Sequence, residues 1–301
     1  MGVRLSQNRI VIGFALLQMK PFGRYTVRIG LAQMASVPDV EANRKKVINV
    51  FKEAAGQCDL LLFPENVFCL GRGTTVRAAA RTEEEWISDL SRIVEKFRVA
   101  AVFGGVPIVT EKEDCLANSS LVLDGAGTLL ARYDKMHLFR LQECGIDESR
   151  LYTHGEKPVS FLLDGWKIGL TICYDLRFPE LSRSYAPCDI IVCTAAFTAA
   201  TGPSHWKPLL RTRAIENQCY VAGVGQCGRN EENGVAMYGH SLMAGPWGEL
   251  QGEALGDAEE LILAELDKDT IEATRARLPA LRDIRLAAPF QEVQSERERY
   301  L

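Results

Sequence analysis

The sequence predicts one α/β domain in which helices cover a mixed β-sheet. From Val27 onward, short apolar segments typical of strands alternate with segments whose apolar residues recur at helical spacing. The glycine-rich stretch 125–127 separates two strand-like segments and predicts a hairpin, so antiparallel pairs are mixed with strand–helix units. No Gly/Ser-rich linker or block of like charge divides this stretch, and a single core can reach its length of about 250 residues.

The first half of the domain contains five predicted strands and two predicted helices. The second strand is short and almost entirely apolar, which is typical of a strand buried on both faces. In the third strand, the adjacent Gly104 and Gly105 indicate a bulge or a close approach of backbone. Apolar residues at helical spacing mark helices that include 47–54 and 86–97. The predicted strands are 27–34, 59–63, 100–109, 118–124 and 128–133.

The second half continues the same alternation. Pro179 is expected in the first turn of a helix, because proline is favoured at the first helical position. The predicted strands are 167–172, 189–194, 219–226 and 261–266. The predicted helices are 178–186, 204–218 and 268–277.

The two ends of the chain differ in composition from the domain, which we place at residues 25–285. Residues 1–24 contain an apolar run from Ile10 to Met19, far shorter than the ~20 residues that span a bilayer. No acidic residue occurs before Asp39, so organellar targeting stands as an alternative to an N-terminal extension of unknown role. Residues 286–301 are polar and lack periodicity, and they predict a tail.

The composition excludes several classes of function. With 35 Lys+Arg against 39 Asp+Glu, the net charge of −4 gives no reason to expect nucleic acid or a membrane surface as a partner. The nine cysteines include no Cys-x-x-Cys pair and the four histidines are scattered, so no metal site is predicted. The odd cysteine number favours buried free thiols in a reducing compartment, and we expect the cytoplasm.

Three predicted strands end at a residue with a reactive side chain. Glu65 follows the second strand after Pro64, Lys135 follows the fifth, and Cys173 follows the strand at 167–172. Ligands of open α/β sheets bind at the carboxyl ends of strands. A thiolate attacks as a nucleophile, a carboxylate transfers protons and an ammonium stabilises a developing negative oxygen. The three residue types together could therefore form a catalytic site.

The segments that contain these residues resemble, in order, the three signature segments of the carbon–nitrogen hydrolase (nitrilase) superfamily. They are Pro64-Glu65, the segment 133–139 and the segment 173–181. The resemblance extends from about Val27 to Arg285. It implies a four-layer α-β-β-α sandwich, a Glu65–Lys135–Cys173 triad, no cofactor, and a homodimer or larger homo-oligomer.

The residues after Cys173 resemble the amidase group that contains omega-amidases and deaminated-glutathione amidases. The resemblance implies hydrolysis of a small-molecule carboxamide to carboxylate and ammonia through a thioester, on a short dicarboxylate monoamide. True nitrilases carry Trp-Glu after the cysteine, which is absent here. An N-carbamoyl amino acid hydrolase and an inactive binding protein with the same fold are the alternatives.

Some members of the superfamily use a second glutamate downstream of the lysine. Glu148-Ser149, followed by Gly155, resembles that segment and is the preferred candidate. Glu143 competes with it by its spacing from Lys135.

Further residues are candidates for substrate binding. The resemblance implies that the backbone N–H near Tyr174 binds the oxyanion and that Phe197 and Thr201 form pocket walls. Arg177 is suited to bind a substrate carboxylate through two parallel hydrogen bonds. A structural ion pair with Glu180 or another acid is the equal alternative for Arg177.

Overall fold

The computed structural model describes residues 25–112, 115–141, 146–256 and 258–286. The predicted extension at 1–24, the candidate Glu143, and the tail after Leu286 lie outside the described residues. The described strands are β1 Thr26–Gln33, β2 Leu60–Phe63, β3 Ala100–Val109, β4 Leu116–Leu123, β5 Leu129–Asp134, β6 Arg140–Leu141, β7 Ile146–Asp147, β8 Tyr152–Thr153, β9 Ser160–Leu163, β10 Trp166–Ile172, β11 Ile190–Ala195, β12 Tyr220–Gly225, β13 Leu242–Ala244, β14 Leu250–Glu253 and β15 Glu260–Asp267. The described α-helices are α1 Val40–Ala54, α2 Gly73–Ala79, α3 Glu83–Phe97, α4 Pro179–Ser184, α5 Gly202–Asn217 and α6 Lys268–Arg277.

Thirteen of the described strands form two large mixed sheets, and β6 and β7 form a separate antiparallel pair. The first has the order β15-β1-β2-β3-β4-β5, with β8 paired to β4, and the second has the order β14-β13-β12-β11-β10-β9. Parallel pairs occupy the middle of each sheet, namely β1-β2-β3 in the first and β10-β11-β12 in the second. The carboxyl ends of each parallel set therefore meet at one edge of their sheet.

The two sheets pack face to face, and helices cover their outer faces. On β2, Leu60 and Leu62 belong to the apolar core between the sheets, together with Ile168 of β10. The alternate residues Leu61 and Phe63 belong to a second core, where the first sheet packs against α1 and α3. Successive side chains of a strand point to opposite faces, so β2 is buried on both, as predicted. The predicted four-layer α-β-β-α sandwich is confirmed.

Most predicted elements are present with shifted ends. Helix α1 begins at Val40, because the side chain of Asp39 caps it, and α3 begins at Glu83, after a capping box formed by Thr82 and Glu85. The predicted hairpin is confirmed as the antiparallel pair β4–β5. The short helix α2 and strands β6–β9, β13 and β14 were not predicted. None of the described helices is long and apolar enough to cross a membrane.

Candidate active site

The structure brings Glu65, Lys135 and Cys173 together at the carboxyl ends of strands from both sheets. Glu65 follows β2 and Lys135 follows β5 in the first sheet, whereas Cys173 follows β10 in the second. All three residues are buried, with the exposed fraction at 8% for Cys173 and lower for the other two. The site therefore exists only where the two sheets meet.

Glu65 is held by donors from three directions. Its Oε1 accepts hydrogen bonds from Asn118 Nδ2 at 3.0 Å and Lys135 Nζ at 2.8 Å, and its Oε2 accepts one from the backbone N–H of Ala196 at 2.9 Å. Burial raises the pKa of Glu65, but the charge and hydrogen bond of Lys135 outweigh it and leave the pKa below its ordinary value. Glu65 is therefore a carboxylate at neutral pH.

The predicted bulge in β3 makes room for Glu65. The pairing register of β3 and β4 shifts between Phe103 and Val106, and Gly105 has a positive φ of 62°. A Cβ atom at Gly105 would lie 2.7 Å from Cγ of Glu65. Only glycine fits both this conformation and this approach, so the bulge fixes the turn that carries Glu65.

Lys135 forms a buried ion cluster with two carboxylates. Its fully buried Nζ donates to Glu65 Oε1 at 2.8 Å and lies 2.9 Å from Oε1 and 2.8 Å from Oε2 of Glu148. Burial lowers the pKa of Lys135, but Glu148 and Glu65 outweigh it and hold the pKa well above its ordinary value. Burial raises the pKa of Glu148 despite the opposing charge of Lys135. Glu148 Oε2 also accepts the backbone N–H of Phe139 at 2.7 Å.

Cys173 occupies a strained turn between a strand and a helix. Its φ of 50° is unusual for a residue with a side chain, and a 3₁₀ helix spans Cys173–Arg177 directly before α4. Burial and the negative charge of Glu65 raise the pKa of Cys173 well above its ordinary value. The Cys173 thiol in turn helps to lower the pKa of Glu65. The site at rest thus pairs a neutral thiol with a carboxylate.

A cavity of about 470 Å³ opens beside Cys173. Its walls include Glu65 and Glu148, together with all four residues predicted to bind substrate, Tyr174, Arg177, Phe197 and Thr201. Lys135 lies behind this wall with none of its side chain exposed. Among the described residues, no group of three or more histidines, cysteines or acids could hold a metal ion.

Arg177 extends over the aromatic wall of the cavity. Its guanidinium carbon lies 5.1 Å from the ring centre of Phe197 and 5.8 Å from that of Tyr174, and its Nη1 lies 3.1 Å from His205 Nδ1. In the part of the chain that the structure describes, no acidic side chain forms an ion pair with Arg177. The alternative of a structural pair with Glu180 is therefore not realised.

The family model described as carbon–nitrogen hydrolase matches residues 28–276, most of the chain and every residue of this cluster. The chain belongs to the carbon–nitrogen hydrolase family. This membership confirms the resemblance predicted from the three segments, and it makes the protein an amide-hydrolysing enzyme.

Similar proteins place the hydrolase among amidases. It is 32% identical to the deaminated glutathione amidase of Dictyostelium discoideum, with 84% of this chain and 91% of that protein covered. It is 33% identical to the omega-amidase NIT2-A of Xenopus laevis, with 86% and 95% covered. The crystal structure of Saccharomyces cerevisiae Nit3, a member of branch 10 of the nitrilase superfamily, superposes with a TM-score of 0.79 at 30% identity, covering 89% of this chain and 99% of that one.

One solved structure bears directly on the chemistry. It is a mutant of the amidase from Nesterenkonia sp. AN1, with the acetamide moiety of fluoroacetamide added covalently at the active site cysteine. Its TM-score against the hydrolase is 0.70 at 27% identity, with 86% of this chain and 97% of that chain covered.

Sequence analysis missed a residue that holds Glu65 and several residues that line the hydrolase's cavity. Asn118 holds Glu65, and the only sequence signal for it is a polar run, Asn118-Ser119-Ser120, inside a strand that is otherwise apolar and fully buried. Helix α2 and the loop between β12 and β13 line the outer part of the cavity. Helix α2 is only seven residues long, so its sequence carries no clear period.

Proposed function

We propose that this enzyme hydrolyses a small carboxamide through a thioester on Cys173, with Glu65 and Lys135 as its catalytic partners. The proposal is supported by one observation above all: a thiol and a carboxylate from two different sheets meet at the wall of one cavity, with an ammonium directly behind the carboxylate. Side chains so far apart in the sequence rarely gather in a buried cluster without a function.

The protonation states set the order of the steps. The pKa of Cys173 is raised and that of Glu65 is lowered, so the resting enzyme holds the proton on sulfur. Attack of Sγ on the amide carbon therefore proceeds together with transfer of that proton to Glu65. The same proton then passes from Glu65 to the leaving nitrogen, which departs as ammonia.

Lys135 stabilises the tetrahedral oxyanion in this scheme. Of the three N–H donors of the ammonium, one goes to Glu65, one is shared between the two oxygens of Glu148, and the third would donate to the bound substrate oxygen. The backbone N–H of Tyr174 is the second donor to the oxyanion. In the second half-reaction Glu65, assisted by Glu148, takes a proton from water as the water attacks the thioester, and Cys173 regains its thiol proton.

The substrate that we propose is a short dicarboxylate monoamide, as in the relatives named omega-amidase. Such a molecule needs one cation for its distal carboxylate and a small space that holds the amide against Cys173. Arg177 lines the cavity and has no carboxylate partner in the described chain, and its fork of donors matches a carboxylate. Phe197, under the Arg177 guanidinium, and Thr201 also line the cavity and would form walls around the substrate.

Arg177→Ala tests this assignment. Removing one desolvated charged contact costs about 2–5 kcal/mol, so kcat/KM on succinamate should fall about 30-fold or more. The uncharged control butyramide should lose little, because it makes no contact with the guanidinium. Ammonia release measures both substrates. Equal losses on both would show that Arg177 is structural, and a preference of the unmodified enzyme for nitriles or N-carbamoyl amino acids would contradict the substrate class.

The size of the cavity favours a second candidate, deaminated glutathione, the substrate in the name of other relatives. About 470 Å³ is within the ~300–1,000 Å³ range of pockets that hold drug-sized ligands. Arg77 and Arg150 lie on its outer wall, where a longer substrate would present its second carboxylate. The experiment compares kcat/KM for release of cysteinylglycine from deaminated glutathione with kcat/KM for release of ammonia from succinamate. The substrate with the higher value is the better candidate.

We further propose that the enzyme is a homodimer or larger oligomer, as the family resemblance implies, and that it lies in the cytoplasm, a reducing compartment that suits its free thiols. Light scattering coupled to size-exclusion chromatography tests the oligomeric state. Fluorescence microscopy of the chain with and without residues 1–24, each carrying a C-terminal tag, tests the compartment. A monomer, or localisation to an organelle that requires residues 1–24, would contradict these two proposals.

A further inference from the structure

One buried carboxylate outside the triad connects the two sheets of the site. Asp175 lies in the 3₁₀ helix that begins at Cys173, and none of its side chain is exposed. Its Oδ2 accepts the backbone N–H of Ile172 at 2.9 Å and the hydroxyl of Tyr133 at 2.6 Å. Its Oδ1 accepts the backbone N–H of His137 at 3.0 Å and His137 Nδ1 at 2.7 Å.

These donors come from the two segments that carry the reactive groups. Ile172 directly precedes Cys173 in the second sheet, whereas Tyr133 and His137 lie two residues before and after Lys135 in the first. Burial and the charge of Asp175 raise the pKa of Tyr133 well above its ordinary value, so its hydroxyl remains a donor at any working pH. The ring of His137 in addition stacks on Phe178, with ring centres 3.6 Å apart.

The geometry points to Asp175 as the positioning residue that sets the distance between Cys173 and Lys135. The two reactive side chains belong to different sheets, and no described strand pairing joins those sheets beyond the isolated bridge Met34–Gln226. A single carboxylate that binds the backbone on both sides fixes this separation directly. It also supports the strained φ of Cys173, because the hydrogen bond from the Ile172 N–H holds the backbone that leads into Cys173.

This inference rests on the proposed roles of Cys173 and Lys135, and it predicts a specific kinetic signature. Asp175 is absent from the wall of the cavity, so its loss should leave KM nearly unchanged. A misplacement of about 1 Å at a reacting centre costs on the order of 100-fold in rate. We expect Asp175→Asn to lower kcat about 100-fold, and Tyr133→Phe, which removes one of four donors, to lower it about 10-fold.

The matched control is Tyr185→Phe. Tyr185 is equally buried, and its hydroxyl donates to the backbone carbonyl of Leu170 in β10 rather than to Asp175. Both tyrosine variants lose one buried hydroxyl, so both should lower the urea midpoint of unfolding. Only Tyr133→Phe should lower kcat. Because Tyr133→Phe keeps the carboxylate and three donors, it tests the inference even where Asp175→Asn does not fold.

The rate of Cys173 alkylation by iodoacetamide gives a readout that is independent of the substrate. The unmodified enzyme should react at Cys173 faster than at its other thiols, and its failure to do so would contradict the proposed function rather than the role of Asp175. Given that reactivity, Tyr133→Phe should slow alkylation about as much as it slows turnover. Unchanged alkylation and kcat in folded Tyr133→Phe and Asp175→Asn, or equal losses in Tyr185→Phe, would overturn the inference.

Discussion

Replacing Lys135 with methionine removes the cation from a buried cluster that holds two carboxylates. Nζ lies within 2.9 Å of both Glu65 and Glu148, and none of the lysine side chain is exposed. Methionine has a similar length and no charge, so packing is largely kept. Removing one partner of a buried ion pair costs about 3–5 kcal/mol, because the remaining charge is left without compensation. We expect that loss in the free energy of unfolding for Lys135→Met, together with loss of turnover.

The dependence of this loss on pH follows from the pKa shifts. In the unmodified protein the pKa of Glu65 is lowered by Lys135, so Glu65 contributes stability above the pKa of an unfolded glutamate, about 4.3, and loses it as the pH falls. Without Lys135, burial raises the pKa of the carboxylates, so they take up protons on folding. The penalty in Lys135→Met should therefore be larger at pH 8 than at pH 5.

Urea unfolding at these two pH values measures the effect, provided that the slope against urea is the same for both proteins. Lys46→Met is the matched control, because Lys46 pairs with Glu259 at the surface, where both side chains are at least one-third exposed. Exposed pairs contribute about 0–1 kcal/mol. A loss in Lys135→Met no larger than in Lys46→Met, or one that grows as the pH falls, would refute the account of the cluster.

Two further variants test the geometry of the site. Gly105→Ala should reduce kcat and lower the urea midpoint of unfolding much more than the control Gly56→Ala does. Both glycines have a positive φ, but only a Cβ at Gly105 would press on Glu65. Equal effects of the two variants in activity and urea unfolding assays would show that the bulge does not shape the site. Glu148→Gln keeps an acceptor for the Phe139 N–H but removes a charge beside Lys135, so kcat should fall by about 100-fold or more with KM little changed. Steady-state kinetics check this, and a retained kcat would remove Glu148 from the mechanism.

The sequence was most informative where one strand carries a local signal. The strands before Glu65 and Cys173 are apolar runs that end at a charged or reactive residue, and Lys135 likewise follows a strand-like segment. These patterns need no knowledge of the rest of the chain. The meeting of the three side chains at one site carries no such local signal. It depends on how the two sheets pack, so only the resemblance to a known family predicts it.

Contacts made by the backbone lay beyond prediction from sequence. The N–H of Ala196 binds Glu65, yet any residue but proline offers that donor, so the sequence at 196 carries no signal. The positive φ of Cys173 is similarly hidden, because positions of this kind are usually marked by glycine or asparagine. The sequence alone does not decide between the two roles of Arg177, because it does not show which acids lie near it.

The central claim is that Cys173 carries the acyl group of the substrate, and a quenched-reaction mass measurement tests it most directly. The enzyme is mixed with succinamate, quenched in acid within the first turnovers and analysed by intact mass and peptide mapping. We predict the mass of a succinyl thioester on the peptide that contains Cys173, and none in Cys173→Ala. Cys115→Ala should retain the adduct, although Cys115 is the one described cysteine that is not buried. Continued ammonia release by Cys173→Ala, or an adduct at another cysteine, would contradict the account.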